Sequence, residues 1–278
     1  MNSCKTPDSV NGECIELKKC SPLLKVYQSY AATRSEKDRQ FLQQSQCKTQ
    51  QITVCCPIET KSSLLPIAPY CGISVSDKIF GGTKTGLNEF PWTALLGYKI
   101  GNKPVEFHCG GSLINERYVI TAAHCIDNRL TTVRLGEWDT SQEIDCDRTL
   151  INEQHCAPKP VDFKISEKIM HENYRRIRSS LDDDIGLIRL EKQVTFNDYI
   201  MPVCMSPEIR SYTGKVLTVV GFGRSEYTGT KSNDIKLKVE IPAVPNENCD
   251  QKYAKNGIKL TSKQICAGGI KGKDSCKG

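Results

Sequence analysis

The sequence predicts an all-β protein with a small disulfide-stapled module at its N-terminus, on three observations. Short apolar segments bounded by turn residues recur beyond residue 90, among them Ala94-Leu95-Leu96, Gly111–Leu113, Tyr118–Ile120, Val133–Asp139, Val216–Arg224 and Leu237–Val244. Val216–Arg224 reads as a buried strand ending at two glycines, and Leu237–Val244 alternates with the period of two that marks a strand. Six of the 15 cysteines fall within residues 1–56, a density expected of a module too small to rely on its own core. No apolar run approaches the length of a membrane-spanning helix.

The 278 residues suffice for one ordinary domain and a smaller module, and 38% hydrophobic with 25% charged residues is the balance of a soluble globular chain. The formal charge of +6 arises from 38 basic against 32 acidic residues without a basic block. Lys18-Lys19 and Arg175-Arg176-Ile177-Arg178 are the densest spots, read as solvated faces, so neither a nucleic-acid partner nor a membrane is predicted. Fifteen cysteines place the protein in an oxidising compartment, secreted and extracellular. Histidine stands beside cysteine at His108-Cys109, His124-Cys125 and His155-Cys156, yet none lies in a Cys-x-x-Cys framework, which argues against zinc. Met1-Asn2-Ser3-Cys4 carries no apolar core of a signal peptide, so a leader has been removed or the true start lies elsewhere. The odd cysteine count implies a bond to something outside this chain.

In chain order, Cys4, Cys14, Cys20, Cys47, Cys55 and Cys56 define the first module, residues 1–57, and by spacing alone permit fifteen connectivities. Gln28–Gln44 is polar with scattered apolar residues, a helical or loop insert between strands. Residues 58–78 form a linker with Pro66, Pro69 and Ser62-Ser63, extended and open to proteolysis, and it contains Cys71. It ends at Lys78, before Ile79-Phe80-Gly81-Gly82. Were the chain cleaved after Lys78, Ile79 would carry an α-ammonium, charged near neutrality and costly to bury without a carboxylate. Gly81 and Gly82 would let that new terminus turn inward.

The stretch from Cys109 to Cys125 then reads as two short strands joined by the turn Asn115-Glu116-Arg117, with Thr121-Ala122-Ala123 presenting His124. A disulfide Cys109–Cys125 can close around this hairpin and fix one imidazole on a rigid support, as a general base requires. Beyond it, Cys146 and Cys156 can close a polar loop. Asp182-Asp183-Asp184 leads into the apolar strand Ile185–Leu190. Three adjacent carboxylates cannot all be buried, so two should face solvent while Asp184, which opens Asp-Ile-x-Leu, goes inward. Cys249 and Cys266 can close a further loop.

These segments resemble two families. Cys109–Cys125 around Ala122-Ala123-His124, the entry Glu89-Phe90-Pro91-Trp92, the cluster ending in Asp184, Gly221-Phe222-Gly223, and Ile265-Cys266-Ala267-Gly268-Gly269 are similar to chymotrypsin/trypsin-like serine proteases. The N-terminal cysteine order, Thr6-Pro7, Phe41-Leu42 before Cys47, and the closing Cys55-Cys56-Pro57 resemble the clip domain of arthropod clip-domain serine proteases. The first resemblance implies two antiparallel Greek-key β-barrels of the chymotrypsin type over residues 79–278. The second implies clip bridges Cys4–Cys55, Cys14–Cys47 and Cys20–Cys56. The family pattern also implies Cys71–Cys204, which would keep the clip module tethered after cleavage at Lys78. Phe80 departs from the usual Val or Ile, Phe222 from Trp, and Gly186 from Ala. His171, in His171-Glu172-Asn173-Tyr174, would be structural.

What the resemblance implies for function is a secreted serine endopeptidase zymogen in an arthropod extracellular cascade of immunity, melanisation or development. His124 would act as base and then acid, Asp184 would orient it, and no cofactor would be required. In some relatives the loop corresponding to that between Cys146 and Cys156 binds calcium through oxygen ligands, a role open here to Glu137, Asp139 and Glu143, the alternative being an acidic solvated loop. At Lys273-Asp274-Ser275-Cys276-Lys277-Gly278, Asp274 would sit at the base of a pocket for a substrate Arg or Lys, and Gly278 would supply one oxyanion-hole N–H. The family's nucleophilic serine falls two residues past Gly278, so the second barrel is expected to be incomplete and the chain as written inactive. Protein substrates, other zymogens among them, an upstream activating protease and serpin inhibitors are the implied partners. The alternative is a non-catalytic clip-domain homologue that serves as a binding cofactor.

Overall fold

The computed structural model describes residues 3–7, 11–20, 23–24, 26–28, 36–48, 53–57, 65–66, 70–74, 84–148, 154–175, 182–205, 211–223, 234–257 and 260–270. The chain divides into two compact units, Met1–Ile73 and Ser74–Gly278.

In the first unit β1 (Ser3–Lys5), β2 (Asn11–Glu16), β3 (Gln46–Lys48) and β4 (Thr53–Pro57) form one antiparallel sheet in the order β1-β2-β4-β3. The predicted insert includes a helix at Glu36–Gln44, with Glu36 and Asp38 in its first turn, where the helix dipole favours negative charge. Arg39 and Glu36 pair one turn apart. The core here is small: Leu17, Cys20, Leu23, Val54 and Cys56, flanked by Ile15, Leu24, Phe41 and Leu42. Cys4–Cys55, Cys14–Cys47 and Cys20–Cys56 staple it, which offsets the little apolar surface so short a chain can bury.

The second unit is built on a closed six-stranded antiparallel barrel. Its strands are β5 (Thr93–Tyr98), β6 (Glu106–Leu113), β7 (Tyr118–Thr121), β8 (Leu130–Leu135), β11 (Val161–Met170) and β12 (Gly186–Leu190), ordered β11-β12-β7-β6-β5-β8 around the barrel. Leu96, Leu113, Val119, Leu130, Val133, Leu135, Ile188 and Leu190 point into its fully buried core. The short hairpin β9 (Cys146–Arg148) and β10 (Gln154–Cys156) is bridged by Cys146–Cys156.

The remaining strands, β13 (Val216–Gly221), β14 (Leu237–Val244) and β15 (Cys266–Ala267), form a three-stranded antiparallel sheet, an incomplete second barrel. A helix, Asn246–Tyr253, follows β14 and carries Cys249, which is bonded to Cys266. The expectation of a buried strand over Val216–Arg224 needs correction: β13 ends at Gly221, and Val216 is 66% exposed. Continuous apolar residues predict burial only when both faces of the sheet are covered.

A ring of hydrogen bonds joins this sheet to the first barrel. Thr85 N–H donates to the Lys236 carbonyl at 3.1 Å, Lys236 N–H to the Trp138 carbonyl at 2.8 Å, and the Trp138 indole N–H to the Thr85 carbonyl at 2.9 Å.

Candidate active site

The hairpin of β6 and β7 leads directly into the site. β7 ends at Thr121, and a single turn of 3-10 helix, Ala123–Cys125, follows it. The bond Cys109–Cys125 ties that turn back to β6, and the buried Tyr98 hydroxyl donates to the Cys125 carbonyl at 2.6 Å. Burial pushes the Tyr98 phenol up to about 12, so it stays a donor throughout the neutral range. His124 is thus held by its neighbours on both sides.

Asp184 meets it from the residues before β12. Its Oδ2 lies 2.7 Å from His124 Nδ1, and its Oδ1 accepts the His124 backbone N–H at 2.8 Å. An ionised carboxylate can only accept, so Nδ1 carries the ring proton and Nε2 is left with a lone pair. His124 remains 49% exposed and Asp184 28% exposed at the side chain. The pair can take a proton at Nε2 and stabilise the resulting imidazolium at Nδ1.

The two preceding carboxylates do not simply face solvent, as expected from the sequence. Asp183 Oδ1 accepts from Lys263 Nζ at 2.9 Å, and Asp182 Oδ1 accepts from the Thr261 hydroxyl at 3.1 Å. The Lys263 ammonium holds the Asp183 carboxyl below its ordinary value. His171 accepts the Asn173 N–H at Nδ1 and lies 3.9 Å from Asp183. A cavity of about 750 Å³ opens here, with Asp183, Asp184 and Lys263 in its wall.

The calcium expectation meets a different geometry. Glu137 accepts from Arg134 and from the Trp138 N–H, Asp139 accepts from the Ser141 N–H and hydroxyl, and Glu143 pairs with Lys159. These three carboxylates do not converge on a common point; the only cluster of potential ligands among the described residues is Cys109, His124 and Cys125, whose sulfurs are bonded to each other. Instead Glu137 and the buried Asp145 share this interior with Lys236, which is only 3% exposed. Burial lowers Lys236 to about 8, against the opposing pull of Glu89, Asp145 and Glu137. Burial, and then the Asp145 charge, raise Glu137.

Sequence reasoning passed over Lys236 and Lys263 because a lone lysine usually marks solvent. The spacing Lys236-x-Lys238 at the entrance of a strand was the one available signal, since residues two apart share a face. Lys238 indeed clasps the buried Glu89 at 2.7 Å. Cys71 and Cys204 are both half-cystines. Lys78, Ile79, Asp274 and Gly278 lie outside the described residues.

A closed antiparallel barrel that seats a half-exposed histidine on a carboxylate, followed by a second β-sheet, defines the class of chymotrypsin-like serine proteases. Comparison with known proteins agrees: residues 79–278 match the family described as Trypsin, and residues 4–56 the Regulatory CLIP domain of proteinases. Phenoloxidase-activating factor 1 of Holotrichia diomphalia is 42% identical, aligned over 99% of this chain and 79% of that protein. Melanization protease 1 of Drosophila melanogaster is 38% identical, over 99% of this chain and 79% of its own length. The crystal structure of the Drosophila Grass clip serine protease of the Toll pathway superposes with a TM-score of 0.62 at 29% identity, covering 96% of this chain and 78% of that one. This chain belongs to the arthropod clip-domain serine proteases.

Proposed function

We propose that the protein is a secreted endopeptidase zymogen, activated by cleavage after Lys78, that hydrolyses protein substrates after Arg or Lys within an extracellular cascade. The observation that carries this reading is the bond of Asp184 to both the ring and the backbone of His124. In that arrangement His124 Nε2 removes the proton from a serine hydroxyl as it attacks the scissile carbonyl, and Asp184 stabilises the imidazolium. His124 then returns the proton to the leaving amine, and water repeats the sequence on the acyl-enzyme. A decayed, purely binding homologue would have no need to keep Nδ1 protonated and Nε2 open to solvent.

Asp274 is read as the carboxylate that selects a cationic side chain, and Gly278 as an oxyanion donor. Every cysteine among the described residues is a half-cystine, which supports an extracellular setting. The names of the relatives, a phenoloxidase-activating factor and a protease of the Toll pathway, support substrates that are themselves zymogens. An upstream trypsin-like activator, serpin inhibitors and a Cys71–Cys204 tether complete the proposal. No step of this reading requires a calcium ion.

The test is to take the protein carried past Gly278 through the position of the family's nucleophilic serine, treat it with a trypsin-like protease, sequence the new terminus, and assay amide substrates with Arg, Lys or Phe before the scissile bond. A new terminus at Ile79 with hydrolysis after Arg and Lys is expected. Cleavage at Ile79 without hydrolysis of any substrate would overturn the enzyme reading and favour the binding homologue.

A further inference from the structure

The acidic triplet does more than supply one catalytic carboxylate. Asp182, Asp183 and Asp184 each bind a different partner: Thr261 at 3.1 Å, Lys263 at 2.9 Å and His124 at 2.7 Å. The first two partners belong to the loop between the Asn246–Tyr253 helix and β15, while His124 belongs to the first barrel. That loop is itself fixed. The Asn246 side-chain amide donates to the carbonyls of Thr261 and Gln264, each at 3.2 Å. Its oxygen accepts the Cys266 N–H at 3.2 Å, Asp250 accepts the Leu260 N–H at 2.7 Å, and Cys249–Cys266 closes the loop covalently.

Between these supports the turn adopts an uncommon backbone. Asp183 has φ of +56°, and its own carbonyl accepts the Ile185 N–H at 2.8 Å. Aspartate visits this left-handed region more readily than most residues, yet a single one there still has to be held by its surroundings. The geometry points to Lys263 and Thr261 as positioning residues that lock the 182–184 turn from the second β-sheet and so aim Asp184 at His124. An exposed ion pair such as Lys263–Asp183 adds little to global stability. Its effect is on direction, because a hydrogen bond weakens steeply once its angle opens, and catalytic groups tolerate errors of only about 0.5 Å. This inference rests on the protease reading for its kinetic readout but not for its structural one.

The experiment titrates the His124 ring by NMR in the full protein and in Lys263→Ala, the double variant Lys263→Ala/Thr261→Val, and Lys263→Arg. Thermal unfolding is recorded alongside to show that each is folded. Two mechanisms give opposite signs. Removing a nearby cation by itself makes the surroundings more negative and raises the His124 pKa. Loosening Asp184 from Nδ1 removes the carboxylate that favours imidazolium and lowers it. The expected result is a fall in the His124 pKa and loss of the low-field Nδ1 proton signal in the double variant. A drop in kcat of about 5- to 10-fold with KM within twofold should accompany it, and Lys263→Arg should behave as the parent. A His124 pKa that rises or stays unchanged in a folded double variant overturns the positioning role. If the parent protein hydrolyses nothing, the protease reading fails, and the titration still decides whether the turn is locked.

Discussion

Asp184 grips His124 twice, its two oxygens taking the ring Nδ1 at 2.7 Å and the backbone N–H at 2.8 Å. One carboxylate therefore fixes both where the histidine stands and which tautomer it adopts. The two tasks can be separated by Asp184→Asn. The amide oxygen can still accept the backbone N–H, so the fold should be kept. The amide NH₂ would compete for Nδ1 as a donor and drive the proton to Nε2, where it blocks the base. A loss of about 10⁴-fold in kcat is expected, with a thermal midpoint close to the parent. Retention of activity within tenfold would remove Asp184 from the mechanism.

Gly186 stands next to this pair, at a position where the family resemblance leads one to expect alanine. A Cβ built on it would come within 2.5 Å of Ile126 Cδ1 and 2.9 Å of the Ile169 carbonyl. Gly186→Ala should destabilise the second unit by about 1–3 kcal/mol, the usual cost of overpacking. Ile126→Val removes the closer of the two obstacles, so the double variant should recover part of that loss. Denaturant unfolding of the four proteins in a double-mutant cycle reads the coupling; simple additivity would show that the two side chains do not compete for space.

Lys236 gives the protein an alkaline signature. Its folded pKa, about 8, lies below the ordinary 10.5, so between these values the unfolded chain binds more protons than the folded one. Stability must then rise as pH climbs through that window, on the order of 3 kcal/mol in total from this one group. Tyr98 acts in the opposite sense, but only above pH 10, where its unfolded form begins to ionise. Urea unfolding at pH 7.5, 8.5 and 9.5 should show the parent gaining stability relative to Lys236→Met. Parallel curves for the two proteins would contradict the burial of that ammonium.

The N-terminal unit depends on its staples. Cys20 and Cys56 bond to each other within the cluster of Leu17, Leu23 and Val54. Replacing both by serine should cost that unit roughly 2–5 kcal/mol and expose it to proteolysis. The barrel, with its own core, should unfold near its original midpoint. Loss of the barrel transition in the same variant would mean that the two units do not fold separately.

The parts legible in the sequence were those whose cause is local. His124 could be named because a hairpin bracketed by Cys109 and Cys125 fixes its support within 17 residues. Asp184 was distinguishable from its neighbours because it opens an apolar strand. The fates of Asp182 and Asp183 were not legible, since their partners lie 79 and 80 residues away. Composition can say that a charge is expensive to bury, but not which distant cation will meet it. The acidic loop shows a related limit: Glu137, Asp139 and Glu143 are visible in the sequence as oxygens, but not that they accept from Arg134, Ser141 and Lys159. Val216 misled because an apolar strand looks the same in sequence whether one or both of its faces are covered.

The hydrogen bonds between His124 and Asp184 form within one closed barrel. Both residues are carried at the ends of neighbouring strands of one closed barrel, with β7 and β12 paired directly. If this protein is held silent until cleavage, its latency is not stored in the pairing of these two residues, which the barrel and the contacts of Thr261 and Lys263 hold between them. If cleavage does activate it, a reagent aimed at His124 would mark the protein before and after alike, and a probe meant to tell the two apart must read another part of the molecule.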